Sequence, residues 1–290
     1  MRLASERGIG FLERQAFRGF RLRKRAYQLA KFRAGADKPV LFIVGCQRSG
    51  TSLIHHLLRL DFDTVTYDEE SPLSAADPVE GLRWDPLPQV AARFRSDRAG
   101  FIVTKPLVES QNLDRLLAAF PGSRALWMFR DYRAVARSNV AFFPEGTSHR
   151  DLAPMLAGDE ANWRCERLGD EARALVANLY RPDLPAHDAA ALFWYARNSL
   201  LLDRGLAADP RVRLCRYEEL LADPGGVMRG VYAFVERPWP GERIVADVEP
   251  APARAPRPLE LEPAIARACT EMLARLEAAP RIAPPTPSAG

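Results

Sequence analysis

The stretch VLFIVGCQRSGTSLIHHLL, residues 40–58, decides the fold. Apolar and β-branched residues run from Val40 to Val44, glycine and polar residues follow from Gly45 to Ser52, and an apolar helical pattern begins at Leu53. That order reads as strand, tight loop and helix. Gly45 and Gly50 have four residues between them, as in the G-x-x-x-x-G-K-[ST] loop that cradles phosphates, yet Thr51 occupies the place of the loop's lysine. Backbone amides at the mouth of the helix still attract an anion, with the helix dipole behind them. The machinery for a metal-bound triphosphate is missing, because Arg48 is the only cation in the loop.

The rest of the chain fits this start. At 290 residues, 47% hydrophobic and 27% charged, it can bury a large core, and one α/β domain with extensions is the expectation. Strand candidates are residues 40–44, 64–67, 101–104, 125–129 and 212–216. Helical patterns occupy 53–59, 112–119, 132–141, 188–204, 226–235 and 259–278. Strands alternating with helices imply a parallel sheet with helices on both faces, three layers of the phosphate-loop type. Residues 71–100 and 143–185, richer in Pro, Asp, Arg and Gly, read as loops or insertions, and PRIAPPTPSAG, residues 280–290, reads as a disordered tail.

Three regions are expected: a basic amphipathic helix in residues 1–38, the α/β domain in 39–245, and a proline-rich extension with one helix in 246–290. Residues 1–38 hold eleven Lys or Arg against Glu6, Glu13 and Asp37, a surplus of eight positive charges. The whole chain is +4, so the remainder is net −4. The basic segment suits contact with an anionic membrane face or an acidic partner, against the plainer reading of a helix packed on its own domain. Nucleic acid is disfavoured, since the remainder has no basic excess. No run approaches the roughly 18 apolar residues that span a bilayer. Cys46, Cys165, Cys215 and Cys269 are widely spaced, without a C-x-x-C pair, so neither a disulfide framework nor a metal site is expected and a reducing cytoplasm fits.

Three segments carry a family resemblance. GCQRSGTS after its strand resembles the 5′-phosphosulfate loop of sulfotransferases that use 3′-phosphoadenylyl sulfate (PAPS), with R-S-G-T closest to the tyrosylprotein and carbohydrate-directed branches. RALWMFRDYRAVARSNV resembles the family's 3′-phosphate site, with Arg130 at the strand end and Ser138 on the next helix. RVRLCRYEELLADPGGVMRGVYAFV is similar to the segment whose tyrosine, here Tyr217, approaches the adenine. The resemblance implies PAPS as co-substrate, bound by Arg48, Ser49, Gly50, Thr51, Ser52, Arg130, Ser138 and Tyr217, without a metal. It also implies a hydroxyl acceptor on a small molecule, sugar or lipid headgroup.

Three side chains are candidates for chemistry. Arg48 is a fixed positive charge in the loop. Lys105 is the only lysine after Lys38 in a chain that otherwise uses arginine, and it follows an apolar strand, where the resemblance places a lysine. Cytosolic family members carry a K-T-H pattern there with histidine as base, but Leu107 stands in that place. The resemblance to the tyrosylprotein branch implies a glutamate base instead, and YDEES puts Glu70 there, with Glu69 the adjacent alternative. Mutual repulsion among Asp68, Glu69 and Glu70 would favour a proton on one of them. His55 and His56 read as helix-face residues. Trp84, Phe142, Phe143, Trp163 and Trp194 are candidate walls of the acceptor site. Two rivals stay open: a nucleotide-dependent kinase with a degenerate loop, and a non-catalytic anion-binding or membrane-attached scaffold.

Overall fold

The computed structural model describes residues 11–32, 38–74, 82–252 and 257–283, with side chains from Gly19 onward. Residues 1–10 and the tail beyond Ala283 lie outside the described residues. The elements run α1 Phe11–Lys31, β1 Val40–Gly45, α2 Thr51–Arg59, β2 Thr64–Tyr67, α3 Leu87–Ser96, β3 Phe101–Thr104, α4 Leu113–Ala119 and β4 Arg124–Phe129. They continue with α5 Tyr132–Phe142, α6 Thr147–Ala157, α7 Asp170–Leu179, α8 Ala186–Asp203, β5 Val212–Arg216, α9 Tyr217–Ala222, α10 Pro224–Phe234 and α11 Pro263–Ala278.

The five strands form one parallel sheet in the order β2-β3-β1-β4-β5. Strand β1 is central and wholly buried, which explains its unbroken apolar run. Its alternate residues feed two cores. Val40, Phe42 and Val44 face the side packed by α4, α5, α8 and α11, while Leu41 and Ile43 face the side packed by α2 and α10. The parallel α/β expectation holds, and all five strands lie where the sequence put them to within a residue.

The order of the strands positions the site. Chain direction reverses its build-up at β1, which sits between β3 and β4, so the loops after β1 and β4 open side by side at the carboxyl edge. Helix α2 anchors the first loop by burying Leu53, Ile54, Leu57 and Leu58. At about 2 kcal/mol for each buried aliphatic side chain, this outweighs the roughly 1–3 kcal/mol of a non-glycine residue held in the left-handed region. Arg48 is such a residue, at φ 64°. Helix α5, after β4, is capped by Asp131, whose carboxylate accepts from the Arg133 amide at 2.9 Å.

Two expectations need correction. Residues 71–100 and 143–185 are not loop throughout: α3 lies in the first, and α6 and α7 in the second. Their buried faces are narrow, Val90 and Phe94 in α3 and Ala172 and Val176 in α7, so the apolar period is faint. The start of the supposed tail is also ordered: the Leu214 amide donates to Pro280 O and the Ile282 amide to Leu214 O, extending β5 sideways. Helix α11 belongs to the main core through Ile265, Cys269, Met272 and Leu276.

Candidate active site

The loop after β1 is shaped by what its glycines leave out. A Cβ on Gly45, at φ 121°, would lie 2.4 Å from Met128 O on the neighbouring strand. One on Gly50, at φ 89°, would lie 2.3 Å from the Tyr217 ring. Both positions need the left-handed region and the missing side chain. Ser110 braces the strand end, accepting from the Gly45 amide at 3.2 Å and donating to Leu107 O at 2.8 Å. Thr51 begins α2 and is buried, Ser52 beside it is exposed, and the Ser49 hydroxyl is fully buried without a hydrogen-bond partner.

Arg130 leaves the end of β4 and turns toward this loop. Its Nη1 donates to Arg48 O at 3.4 Å, its guanidinium stacks 4.4 Å over the Tyr217 ring, and its Nε is buried without a partner. The carboxylates beside it are committed elsewhere, Asp131 to Arg133 and Glu218 to Arg216. Arg48 Nε donates to Ser138 Oγ at 3.0 Å, and the same guanidinium lies 3.9 Å over the Phe142 ring. Burial, and then the nearby charge of Arg130, pull Arg48 below its ordinary pKa. Arg48, Arg130, Ser138 and Tyr217, spread over 170 residues, thus meet in one corner.

Two further arginines join them that the sequence reading missed. A cavity of about 600 Å³ is lined by Arg130, Arg137, Ser138, Tyr217, Leu221, Pro252 and Arg257. Arg137 lies one residue before Ser138, and its guanidinium ties down the C-terminal segment by donating to Pro258 O at 3.0 Å and to Arg257 O. Arg137 was visible in the same motif; Arg257 arrives from a proline-rich stretch that offers no signal.

On the other side of Arg48 opens a larger cavity of about 830 Å³. Lys105, Asp68, Glu69 and Glu70 line one wall, and Phe142, Phe143, Leu107, Val108 and Trp163 supply apolar surface. Lys105 Nζ pairs with Glu69 at 2.9 Å and reaches Ser52 Oγ at 3.4 Å. Glu70 is exposed in the same wall. Of the five candidate aromatic walls, Phe142, Phe143 and Trp163 line this cavity. The other two are core: Trp84 packs on Phe42 and Phe94, and Trp194 is fully buried with its Nε1 donating to Arg130 O at 3.1 Å.

The far wall was not foreseen. Asp151 on α6 accepts from Arg164 Nε at 2.8 Å and from Gln47 Nε2 at 3.1 Å, linking the loop to the helical insertion. Arg197 is buried in α8 and held by carbonyl oxygens of Trp163 and Leu107, both at 3.2 Å, and by Gln111 Oε1 at 3.1 Å. Burial pulls it down to about 10, still charged at neutral pH. An arginine inside the apolar run ALFWYARNSLLL was the signal for it.

Two other titratable groups border the site. Burial pushes the Cys46 thiol up to about 12, which keeps it protonated. Burial, and next the charge of Lys105, push His55 down to about 4. His55 lines an adjoining cavity of about 590 Å³ with Asp68, Glu70 and Lys105.

The sequence profile described as "Sulfotransferase family" matches residues 86–241, more than half of the chain; the loop at 45–52 lies outside the matched span. A sulfotransferase from Alicyclobacillus acidocaldarius is similar in structure, with TM-score 0.50 and 18% identity over 84% of this chain and 96% of that one. A sulfotransferase domain from the curacin biosynthetic pathway aligns at TM-score 0.45 and 15% identity over 81% of this chain and 98% of that one. A sulfotransferase domain from the Synechococcus PCC 7002 olefin synthase aligns at 0.43 and 15% over 83% and 98%. No curated protein sequence matches the chain.

Proposed function

The chain belongs to the sulfotransferase family, and from that premise we propose that it transfers a sulfuryl group from PAPS to a hydroxyl acceptor, releasing adenosine 3′,5′-bisphosphate. The observation that carries the donor is a pair of orphaned buried polar atoms, Ser49 Oγ and Arg130 Nε, in two adjacent corners. A buried donor without a partner costs about 1–3 kcal/mol. A ligand with anionic groups at both corners removes that cost twice. The cavity of Arg130, Arg137 and Arg257 offers cations for a 3′-phosphate, and Tyr217, Leu221 and Pro252 offer apolar surface for a base.

PAPS, when bound, supplies an activated sulfuryl group whose S–O bond to phosphate breaks as a new bond forms to the acceptor oxygen. The residues of the chain divide the remaining work. The first-turn amides of α2 with Ser49, Gly50, Thr51 and Ser52 hold the 5′ side, while Arg130 and Ser138 hold the 3′ side. Arg48, at the border of the two cavities, supplies positive charge where the bridging oxygen becomes negative. Lys105 supplies a second charge from the opposite wall. Glu70 takes the acceptor's proton; Glu69 is the weaker candidate because Lys105 already holds it. A sulfonate carries less charge than a terminal phosphate, so no metal enters this scheme.

The acceptor is a small molecule, sugar or lipid headgroup whose hydroxyl reaches Glu70 while its body lies against Phe143, Val108 and Trp163. Four buried free thiols suit a reducing cytoplasm. Among the described residues, no helix is long and apolar enough to cross a membrane.

The test is a thermal shift with adenosine 3′,5′-bisphosphate against 5′-AMP. Binding adds about 2.7 kcal/mol at a hundredfold excess over Kd, so the doubly phosphorylated nucleotide should stabilise the protein far more at equal concentration. Equal shifts would remove the second anion corner from the proposal. Transfer of labelled sulfuryl from PAPS should persist in a metal chelator, whereas a kinase would lose turnover.

A further inference from the structure

Helix α1 presents two different faces. The inner one fastens it to the domain: Phe20 and Tyr27 pack on Phe62, at 5.4 Å and 6.0 Å between ring centroids. On the same side Lys24 donates to Arg59 O at 2.6 Å, and Gln28 donates to Phe62 O at 3.0 Å and Thr64 O at 3.2 Å. The helix is therefore held, and its outer face has a fixed orientation.

That outer face is apolar where a solvated helix would be polar. Leu22, Ala26 and Leu29 follow one another at four and three residues, a single stripe opposite the docked side, and the leucines are 70% and 51% exposed. Arg21, Arg25 and Phe32 form the neighbouring row, with Phe32 40% exposed. Among the described residues, three of the six exposed large apolar side chains, Leu22, Leu29 and Phe32, lie on this side of the segment, so the exposure is concentrated here.

Positive charge surrounds the stripe. Between α1, the edge strand β2 and α3 runs a groove of about 740 Å³ lined by Arg21, Lys24, Arg25, Arg59, Arg93 and Arg98, with Asp97 the one carboxylate among its described lining. Asp97 accepts a hydrogen bond from Tyr67 Oη. The groove shares Arg59, Val65, Thr66, Arg93 and Asp97 with the cavity of His55, and that cavity shares Ser52, Asp68, Glu70 and Lys105 with the reaction cavity. The three cavities therefore adjoin in a row from the basic face to Glu70.

We propose that the outer face of α1, with the basic groove beside it, docks on the anionic surface of a lipid bilayer. Leu22, Leu29 and Phe32 enter the headgroup boundary, while Arg21, Arg23 and Arg25 meet lipid phosphates. The docked orientation turns the basic end of this row toward the membrane. The docking does not depend on the identity of the sulfuryl donor.

The experiment is co-sedimentation of the full chain with vesicles of phosphatidylcholine alone or mixed with phosphatidylglycerol. Binding should require the anionic lipid and weaken with salt. Arg21→Glu with Arg25→Glu should lower affinity by at least about tenfold. Leu22→Ser with Leu29→Ser should lower it by about tenfold. Thermal melting should stay unchanged for the leucine pair, since both side chains are exposed. The proposal is overturned by absence of binding to mixed vesicles, by equal binding to neutral ones, or by wild-type affinity in the leucine variant. Full competition by RNA with indifference to the leucine change would also overturn it, assigning the face to a soluble polyanion.

Discussion

The proposed donor corner and the proposed acceptor cavity share Arg48 but are built in different ways. The corner is made of strand ends and the loops that leave them: 45–52 after β1, 130–138 after β4 and Tyr217 after β5. Adjacent strands fix those loops, and two glycines with no room for a Cβ fix their backbone. The cavity is walled by side chains from the turn after β2, the 3-10 turn after β3, α6, α8 and the turn at 162–164. Its shape depends on side-chain packing, and its polar members lean on one another, as Asp151 does on Arg164 and Gln47. A site of the first kind is fixed by sheet order; one of the second kind can be refitted without disturbing the sheet.

This contrast can be broken or sharpened by substitution. The largest effect expected is for Glu70→Gln, a loss of about 10²–10⁴ in kcat if it takes the proton, with donor affinity intact. Glu69→Gln should cost much less, and a larger loss at Glu69 would exchange their roles. Arg48→Ala, at the border, should lower kcat by about a hundredfold; an unchanged kcat with raised KM for PAPS would reduce it to a binding residue.

Arg130→Ala should weaken adenosine 3′,5′-bisphosphate by about tenfold or more, since a hydrogen bond to a charged group contributes roughly 1.5–3 kcal/mol, while acceptor KM stays constant. Asp151→Asn should do the reverse. If both variants change both constants, the two regions are not separable.

The smallest effect concerns acid. The His55 ring has an ordinary value of 6.5 and is pushed to about 4 in the fold. Between those values the unfolded chain binds the proton and the folded one does not. Stability is therefore full above the higher value and declines as pH falls toward the lower, by on the order of 3 kcal/mol from this group. His55→Gln should flatten the denaturant midpoint across pH 4–6.5, and an unaltered slope would assign the acid sensitivity elsewhere.

How much was readable follows the same division. The strands were legible because a strand buried on both faces needs an unbroken apolar run, as in VLFIV and ALWMF. The loop was legible because glycine and small polar residues are required within a few positions of one another. Glu70 was placed by resemblance alone, and the structure adds that Lys105 engages Glu69 beside it. Helix α6 was missed because Pro154 interrupts its pattern. Arg257 was missed because its partner Arg137 lies 120 residues away, and Asp151 because Gln47, which it ties to the insertion, lies 104 residues away. Trp84 and Trp194 were candidates for a wall, yet aromatic side chains fill cores as readily as cavities, and only packing separates the cases.

By itself the sequence determined a parallel α/β sheet and a loop shaped for an anion, because both follow from neighbours along the chain: unbroken apolar runs in strands buried on both faces, and the steric freedom of glycine. Tertiary structure alone decided that Arg130 turns to the loop rather than to Asp131, that Lys105 takes Glu69, and that α1 keeps leucines outward. Each of those is a choice among competing partners, settled by which side chains the sheet order and helix packing bring within a few ångströms.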